Sequence, residues 1–229
     1  MELVRHGHAC FSVRDHLDRI WLFDPYRPDG LGGRFNLALP DIQPTGIFST
    51  HSHEDHAWRC QQWRDVPFHE QDFEDRDLRL TCRTISHDDC GGSRMGFSRT
   101  MRLEIQVAPE RTITVVHAGD ASDIKDEALQ DQCASADVLI LPAGGTFTMG
   151  PAEAAELAQQ SQARCTVLTH FREPGVDLPM LTPEEAFASI NTAVHPIESG
   201  QLILPIPPDT PSLVWMKARM QPTSNGSGD

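Results

Sequence analysis

Residues 51–56 read His-Ser-His-Glu-Asp-His, three imidazoles and two carboxylates within six consecutive positions. Each of those groups is a ligand for a divalent cation once it is deprotonated. His51 and His53 stand two apart at the end of the apolar run "TGIFST" at 45–50, which predicts a β-strand. In extended backbone, side chains at i and i+2 point the same way, so both rings can reach one ion. Asp55 and His56 follow as the chain turns into a predicted helix, and they can point towards a second ion. A lone His-x-His arises often by chance; Asp-His two residues later, in a strand–turn–helix setting, makes a metal-binding turn the better reading than a solvated loop.

Three more groups stand where distant sequence can converge. His87 follows "LTCRTIS" at 80–86, Asp120 follows "RTITVVH" at 111–117, and His170 ends "CTVLTH" at 165–170. Each lies just past the C-terminal end of a predicted strand, and together with the first four they make seven nitrogen or oxygen ligands. Ser52 reads as a small turn residue, since no activation scheme for a nucleophile is visible. Glu54 reads as an outward, solvated carboxylate between ligands. Cys90 is an unneeded thiol beside a full oxygen and nitrogen set.

The elements that must position these groups are short apolar strands between turn signals, expected at 8–14, 19–24, 45–50, 80–86, 101–107, 111–117, 136–142, 165–170, 201–206 and 212–217. Helical patterns fall at about 55–64, 124–133, 151–162 and 183–193, with Pro151 and Pro183 suited to a first helical turn. Strands dominate the first half and alternate with helices in the second. That order predicts an α/β protein with two sheets packed face to face and helices outside, in one domain over 1–220. The end, "QPTSNGSGD" at 221–229, reads as a mobile tail. The glycine- and proline-punctuated loop at 27–40 and the stretch "FREPGVDLPMLTP" after His170 are expected to line the pocket.

Composition narrows the setting. The 229 residues are 39% apolar and 23% charged, which fits a globular chain, and no apolar run approaches the length a membrane helix needs. The start "MELVRHGHACF" has no signal-peptide pattern, so a cytoplasmic location is expected. Six cysteines without a CxxC pair fit reduced thiols. The net charge of −14 opposes long-range attraction to nucleic acid or anionic membranes.

The motif set resembles the metallo-β-lactamase-fold superfamily, and within it the small metal-dependent hydrolases grouped with L-ascorbate-6-phosphate lactonase. The resemblance rests on "HGHACFSV", "WLFDPY", "STHSHEDH", "SHDDCGGSRMG", "VVHAGDAS", "DVLILPAGGTFTMGPAEAAELA" and "TVLTHF", in the family's order over residues 6–172. It implies a four-layer αββα sandwich. It also implies one metal held by His51, His53 and His87, a second held by Asp55, His56 and His170, and Asp120 bridging them. Asp24 matches the aspartate that supports the metal-binding loop from behind. His8 matches a histidine close to the site, a candidate catalytic residue through substrate or a ligand, with a core histidine bonded to backbone as the alternative. Arg94 is the candidate for binding a substrate anion. Met95 and Ser98 stand where the subgroup commonly carries arginine and asparagine. His117 is a candidate for the layer behind the ligands.

A pair of ions about 3.5–4 Å apart can hold a bridging water and lower its pKa to about 7. The resulting hydroxide would attack a carbonyl or phosphoryl centre, with Asp55 orienting it or returning a proton to the leaving group. Zinc fits first and manganese second, with iron also able to accept this donor set. The expected substrate is a small anionic ester, lactone or phosphodiester. The alternatives are a nuclease acting on nucleic acid and, from another class, a non-catalytic metal-binding scaffold. Self-association into a homo-oligomer stays open.

Overall fold

A computed structural model describes residues 1–219. The tail expected at 221–229 lies outside the described residues. One sheet is built from β1 (Glu2–Gly7), β2 (Cys10–Arg14), β3 (Ile20–Phe23), β4 (Gly46–Phe48), β5 (Phe68–His69) and β13 (Gln201–Ile203). The second holds β6 (Phe73–Asp75), β7 (Leu78–Ser86), β8 (Phe97–Ala108), β9 (Arg111–His117), β10 (Val138–Pro142), β11 (Cys165–Thr169), β12 (His195–Ile197) and β14 (Leu213–Met216). The strands run in the order β13-β1-β2-β3-β4-β5 in one and β12-β14-β11-β10-β9-β8-β7-β6 in the other.

Alternation within the strands explains the layers. Leu3, Phe11, Val13 and Phe23 from one sheet meet Leu103, Ile113, Val115 and Ile140 from the other in a buried core between them. Val116, Leu139, Leu141 and Leu168, on the outward face of β9, β10 and β11, are equally apolar because helices cover them. β10 is accordingly buried at every position and pairs in parallel with β9 and β11, the arrangement that helical crossovers impose. The helices on that face are Glu127–Cys133, Pro151–Ser161 and Pro183–Ala188. Asp126 caps the first by accepting from the Leu129 amide, and Thr182 caps the third from the Glu185 amide; caps of this kind contribute about 1 kcal/mol. Pro151 and Pro183 each open their helix as the sequence predicts.

The fourth layer is irregular chain. Cys10, Leu22 and Ile47 on the outer face of the first sheet pack under Tyr26, Phe35, Trp63 and Val176. The helix expected at 55–64 is a turn followed by the short 3-10 segment Gln61–Trp63. The Ala57 amide closes a single helical turn on the His53 carbonyl, and the Trp58 amide then leaves the helical pattern for the Pro25 carbonyl. The strand expected at 8–14 begins at Cys10, because residues 2–7 form their own strand and Gly7 (φ 120°) and His8 (φ 48°) make the turn between them. The helix expected to reach 193 stops at Ala188, where the Ser189 hydroxyl donates to the Ala186 carbonyl. All six cysteines are free. No helix among the described residues is long and apolar enough to cross a membrane.

Candidate metal centre

The strand ends deliver the chemistry to one rim. β4 leads through Ser49 and Thr50 into His51, β7 into His87, β9 into Asp120, β11 into His170, and the β1–β2 turn presents His8. Two glycines let the chain come this close. A Cβ on Gly119 (φ 57°) would meet the Arg99 carbonyl oxygen at 2.5 Å, and one on Gly144 would meet the His170 carbonyl oxygen at 1.9 Å.

Asp120 is the hub. Its Oδ2 lies 3.1 Å from His87 Nε2, 3.3 Å from His170 Nε2, 3.4 Å from His56 Nε2 and 3.8 Å from His51 Nε2. Around it fall two ligand groups whose donor atoms lie within 4.8 Å of one another: His51, His53 and His87 on one side, and His8, Asp55, His56 and His170 on the other. All seven residues singled out from the sequence as ligands are therefore brought together; His8 stands with Asp55, His56 and His170, and a further set, His51, His56 and Asp120, crosses between the two groups.

Supporting contacts fix which ring nitrogen faces the centre. Asp24, fully buried, accepts from the Thr50 amide and hydroxyl through its two oxygens and bonds His56 Nδ1 at 2.8 Å, leaving Nε2 to face Asp120. Thr50 Oγ1 sits 3.0 Å from His51 Nδ1, and Ser98 Oγ, 3.4 Å from the same atom, accepts the Asp120 amide. Ser98 is thus a support of two ligands. His117 accepts the Gly119 amide on Nδ1 and donates from Nε2 to the Ala9 carbonyl, so it holds the turn that carries Asp120 and touches no ligand side chain by hydrogen bond.

The electrostatics favour a cation. Burial alone would push the Asp120 carboxyl up, but the His170 and His56 imidazoles outweigh it and hold it well below the usual range. Asp55 is held low in the same way, burial being outweighed by His56 and His8. Burial and the neighbouring His56 depress His51 to about 3, and burial with His170 depresses His8 to about 4, so both rings are neutral and available as ligands. Burial would lower His56 as well, but Asp120, Asp55 and Asp24 raise it well above its ordinary value. Three carboxylates in a buried shell thus draw positive charge to their midst. His8 Nδ1 and Nε2, His56 Nε2, His87 Nδ1, Asp120 Oδ1 and both His170 nitrogens are buried without a hydrogen-bond partner. Orphaned polar atoms of that density are costly unless they bind something, and the donor set fits divalent metal.

A cavity of about 540 Å³ opens over the ligands, with Leu31, Arg34, Met95, Phe147 and Leu178 among its walls. The loop at 27–40 and the stretch after His170 both contribute to it, as the sequence predicts. Arg94, the sequence candidate for a substrate anion, turns its guanidinium, 72% exposed, outward to Asp89 at 3.9 Å, while Arg34 stands in the cavity wall. Both sit in aperiodic loops, so spacing alone does not show which of the two faces the ligands. Glu54 is exposed on the cavity rim but is not free, accepting from Arg27 Nη1 and the Leu31 amide and so tying the rim loop to the motif. Cys90 belongs to neither ligand group.

The β-lactamase superfamily domain matches residues 2–170. A UPF0173 metal-dependent hydrolase of Natranaerobius thermophilus is 26% identical, over 75% of this chain and 83% of its own. One from Methanoculleus marisnigri is 28% identical, over 75% and 81%. Among solved structures, a candidate Zn-dependent hydrolase of the metallo-β-lactamase superfamily from Thermotoga maritima superposes with a TM-score of 0.68 at 20% identity, over 94% of this chain and 97% of that one. An isothiocyanate hydrolase from Delia radicum gut bacteria gives 0.61 at 16% identity, over 82% and 91%. The sandwich, the rim on which its ligands meet and the match over residues 2–170 agree, and the chain belongs to the β-lactamase superfamily in its metallo-β-lactamase-fold form.

Proposed function

We propose that the chain is a metal-dependent hydrolase that holds two divalent cations, zinc first and manganese second, and cleaves a small anionic ester, lactone or phosphodiester. The observation that carries this reading is Asp120 Oδ2 standing within 3.1–3.8 Å of four imidazole nitrogens drawn from both ligand groups. His51, His53 and His87 would hold one ion and Asp55, His56 and His170 the other, with Asp120 between. When bound, such a pair supplies an ionised water at neutral pH and an electrophile for the oxygen that gains charge.

The chain's own residues supply the rest. Asp55 Oδ2, 3.6 Å from His56 Nε2 and on the cavity wall, is placed to orient a water or hand a proton to a leaving group. Arg34 gives an anionic substrate its counter-charge at the mouth. Leu31, Met95, Phe147 and Leu178 take an apolar body and thin the water around the reacting bond. A net charge of −14 works against the nuclease alternative.

The test is metal-loaded protein assayed against bis(p-nitrophenyl) phosphate and a panel of lactones and carboxylate esters. Turnover is expected with zinc or manganese, abolished by His51→Ala. Arg34→Ala is expected to raise KM about tenfold for an anionic substrate and leave a neutral analogue unchanged, while Arg94→Ala changes neither. Absence of turnover with any metal, or activity indifferent to His51→Ala, would end the hydrolase reading.

A further inference from the structure

His8 is the residue whose setting the ligand scheme above does not use. Its side chain is fully buried, and both ring nitrogens lack a hydrogen-bond partner. A buried imidazole normally satisfies at least one nitrogen, because an orphaned one keeps the whole cost of its desolvation. The ring instead packs against His170 at 4.2 Å and His56 at 5.3 Å between centroids, and its Nε2 stops 3.3 Å from Asp55 Oδ2. Its donor atom completes the four-membered group with Asp55, His56 and His170, all within 4.8 Å. Bonds of about 2.0–2.2 Å to one ion would need only small side-chain adjustments from that spacing.

The backbone at residue 8 carries a second, independent observation. His8 sits at φ 48°, a left-handed conformation that a non-glycine residue keeps only when its surroundings impose it. Here they do so on both sides of its Cα, through the two peptide units that flank it. The His8 amide donates to Glu173 Oε1 at 2.9 Å, and its carbonyl accepts from Arg5 Nη2 at 3.1 Å and from the Thr169 hydroxyl. Arg5 and Glu173 are themselves joined by two bonds, of 2.9 and 2.5 Å, with side-chain exposures of 0% and 6%. A buried bidentate ion pair is thus spent on gripping a single histidine and on joining its turn to the loop that carries His170.

We propose that His8 is a fourth protein ligand of the ion held by Asp55, His56 and His170. This rests on the two-metal reading and deepens it. The second position is then closed by four protein side chains and Asp120, whereas the first has three and Asp120. Substrate oxygen therefore approaches the ion of His51, His53 and His87, whose partly exposed His53 stands on the cavity wall.

The experiment uses the full chain, stripped and reloaded with cobalt(II) or zinc. The variants are His8→Asn, which tolerates the left-handed backbone, and His8→Ala as a second truncation. The readouts are metal stoichiometry, the dissociation constant of each ion and the visible cobalt spectrum. Thermal unfolding of the metal-free proteins establishes that each variant folds. The wild type is expected to bind two ions. Each folded variant is expected to keep one at wild-type affinity, to lose at least about 100-fold in affinity for the other, and to lose the corresponding cobalt bands. Retention of both ions at wild-type affinity with an unchanged spectrum would overturn the proposal. So would equal loss of both, which marks a general support of the site. A wild type that binds one ion or none defeats the two-metal reading itself.

Discussion

Glu173→Gln is the perturbation whose size can be worked most fully from the structure. The wild-type carboxylate accepts two bonds from Arg5 and one from the His8 amide in a site where its own exposure is 6% and that of Arg5 is 0%. Removing one partner of a buried pair leaves the other charge desolvated, at about 3–5 kcal/mol. The glutamine keeps one acceptor oxygen, and Arg5 keeps the carbonyls of Met216 and His8, so the lower end, about 3 kcal/mol, applies. For a chain of this length 1 kcal/mol shifts Tm by about 2–4 °C, which puts the fall at about 6–12 °C. The assay is urea and thermal unfolding of metal-free protein, followed by circular dichroism, for Glu173→Gln, Arg5→Met and the double variant. The double variant is expected to be no less stable than either single one, because it buries no unpaired charge. A loss below about 1 kcal/mol for Glu173→Gln, or additive losses in the double variant, would refute the reasoning that this pair is a desolvated clamp.

Three further outcomes follow from the same physics. Asp24→Asn removes the charge that fixes His56 and Thr50 and is expected to weaken metal binding about 10–100-fold, read by chelator competition. Gly144→Ala forces a Cβ against the His170 carbonyl oxygen; it is expected to destabilise the chain by at least about 2 kcal/mol and to lower metal affinity together with stability, measured by urea unfolding and metal titration. The third concerns Asp15: burial would raise its carboxyl, but hydrogen bonds from Trp21 and Arg19 outweigh it and hold it low. A depressed carboxyl contributes stability that is present above its unfolded value of about 4 and is lost as pH falls through its folded value. The stability of Asp15→Asn is therefore expected to depend less steeply on pH below about 4 than that of the wild type, as urea midpoints across pH would register.

The seven candidate ligands were legible because four fall within six consecutive positions and the other three close strands whose apolar patterns stand out. His87, Asp120 and His170 follow β7, β9 and β11 within three residues. The helical layer was legible for the same reason, with Pro151 and Pro183 marking two starts. The turn at 55–64 was not: the apolar spacing of Ala57, Trp58, Cys60 and Trp63 imitates a helix, while the Trp58 amide answers to the distant Pro25 carbonyl and ends the first turn. Nor was Arg5, since an arginine in a strand reads as solvent-facing and its partner lies 168 residues away. Ser98 offered a single hydroxyl, with no pattern to show that it would support both His51 and Asp120. The choice of Arg34 over Arg94 depends on how two aperiodic loops fold over the site, and that information is carried only by tertiary contacts such as the bridge of Phe35 to Val176.

The proposed function requires two cations, one on either side of Asp120. Elemental analysis of the full chain, stripped with chelator, reloaded with zinc or manganese and freed of excess metal, tests it most directly. Two ions per chain are expected, falling to one or fewer in Asp120→Ala. A single ion, or none, in the wild type with both metals would contradict the account.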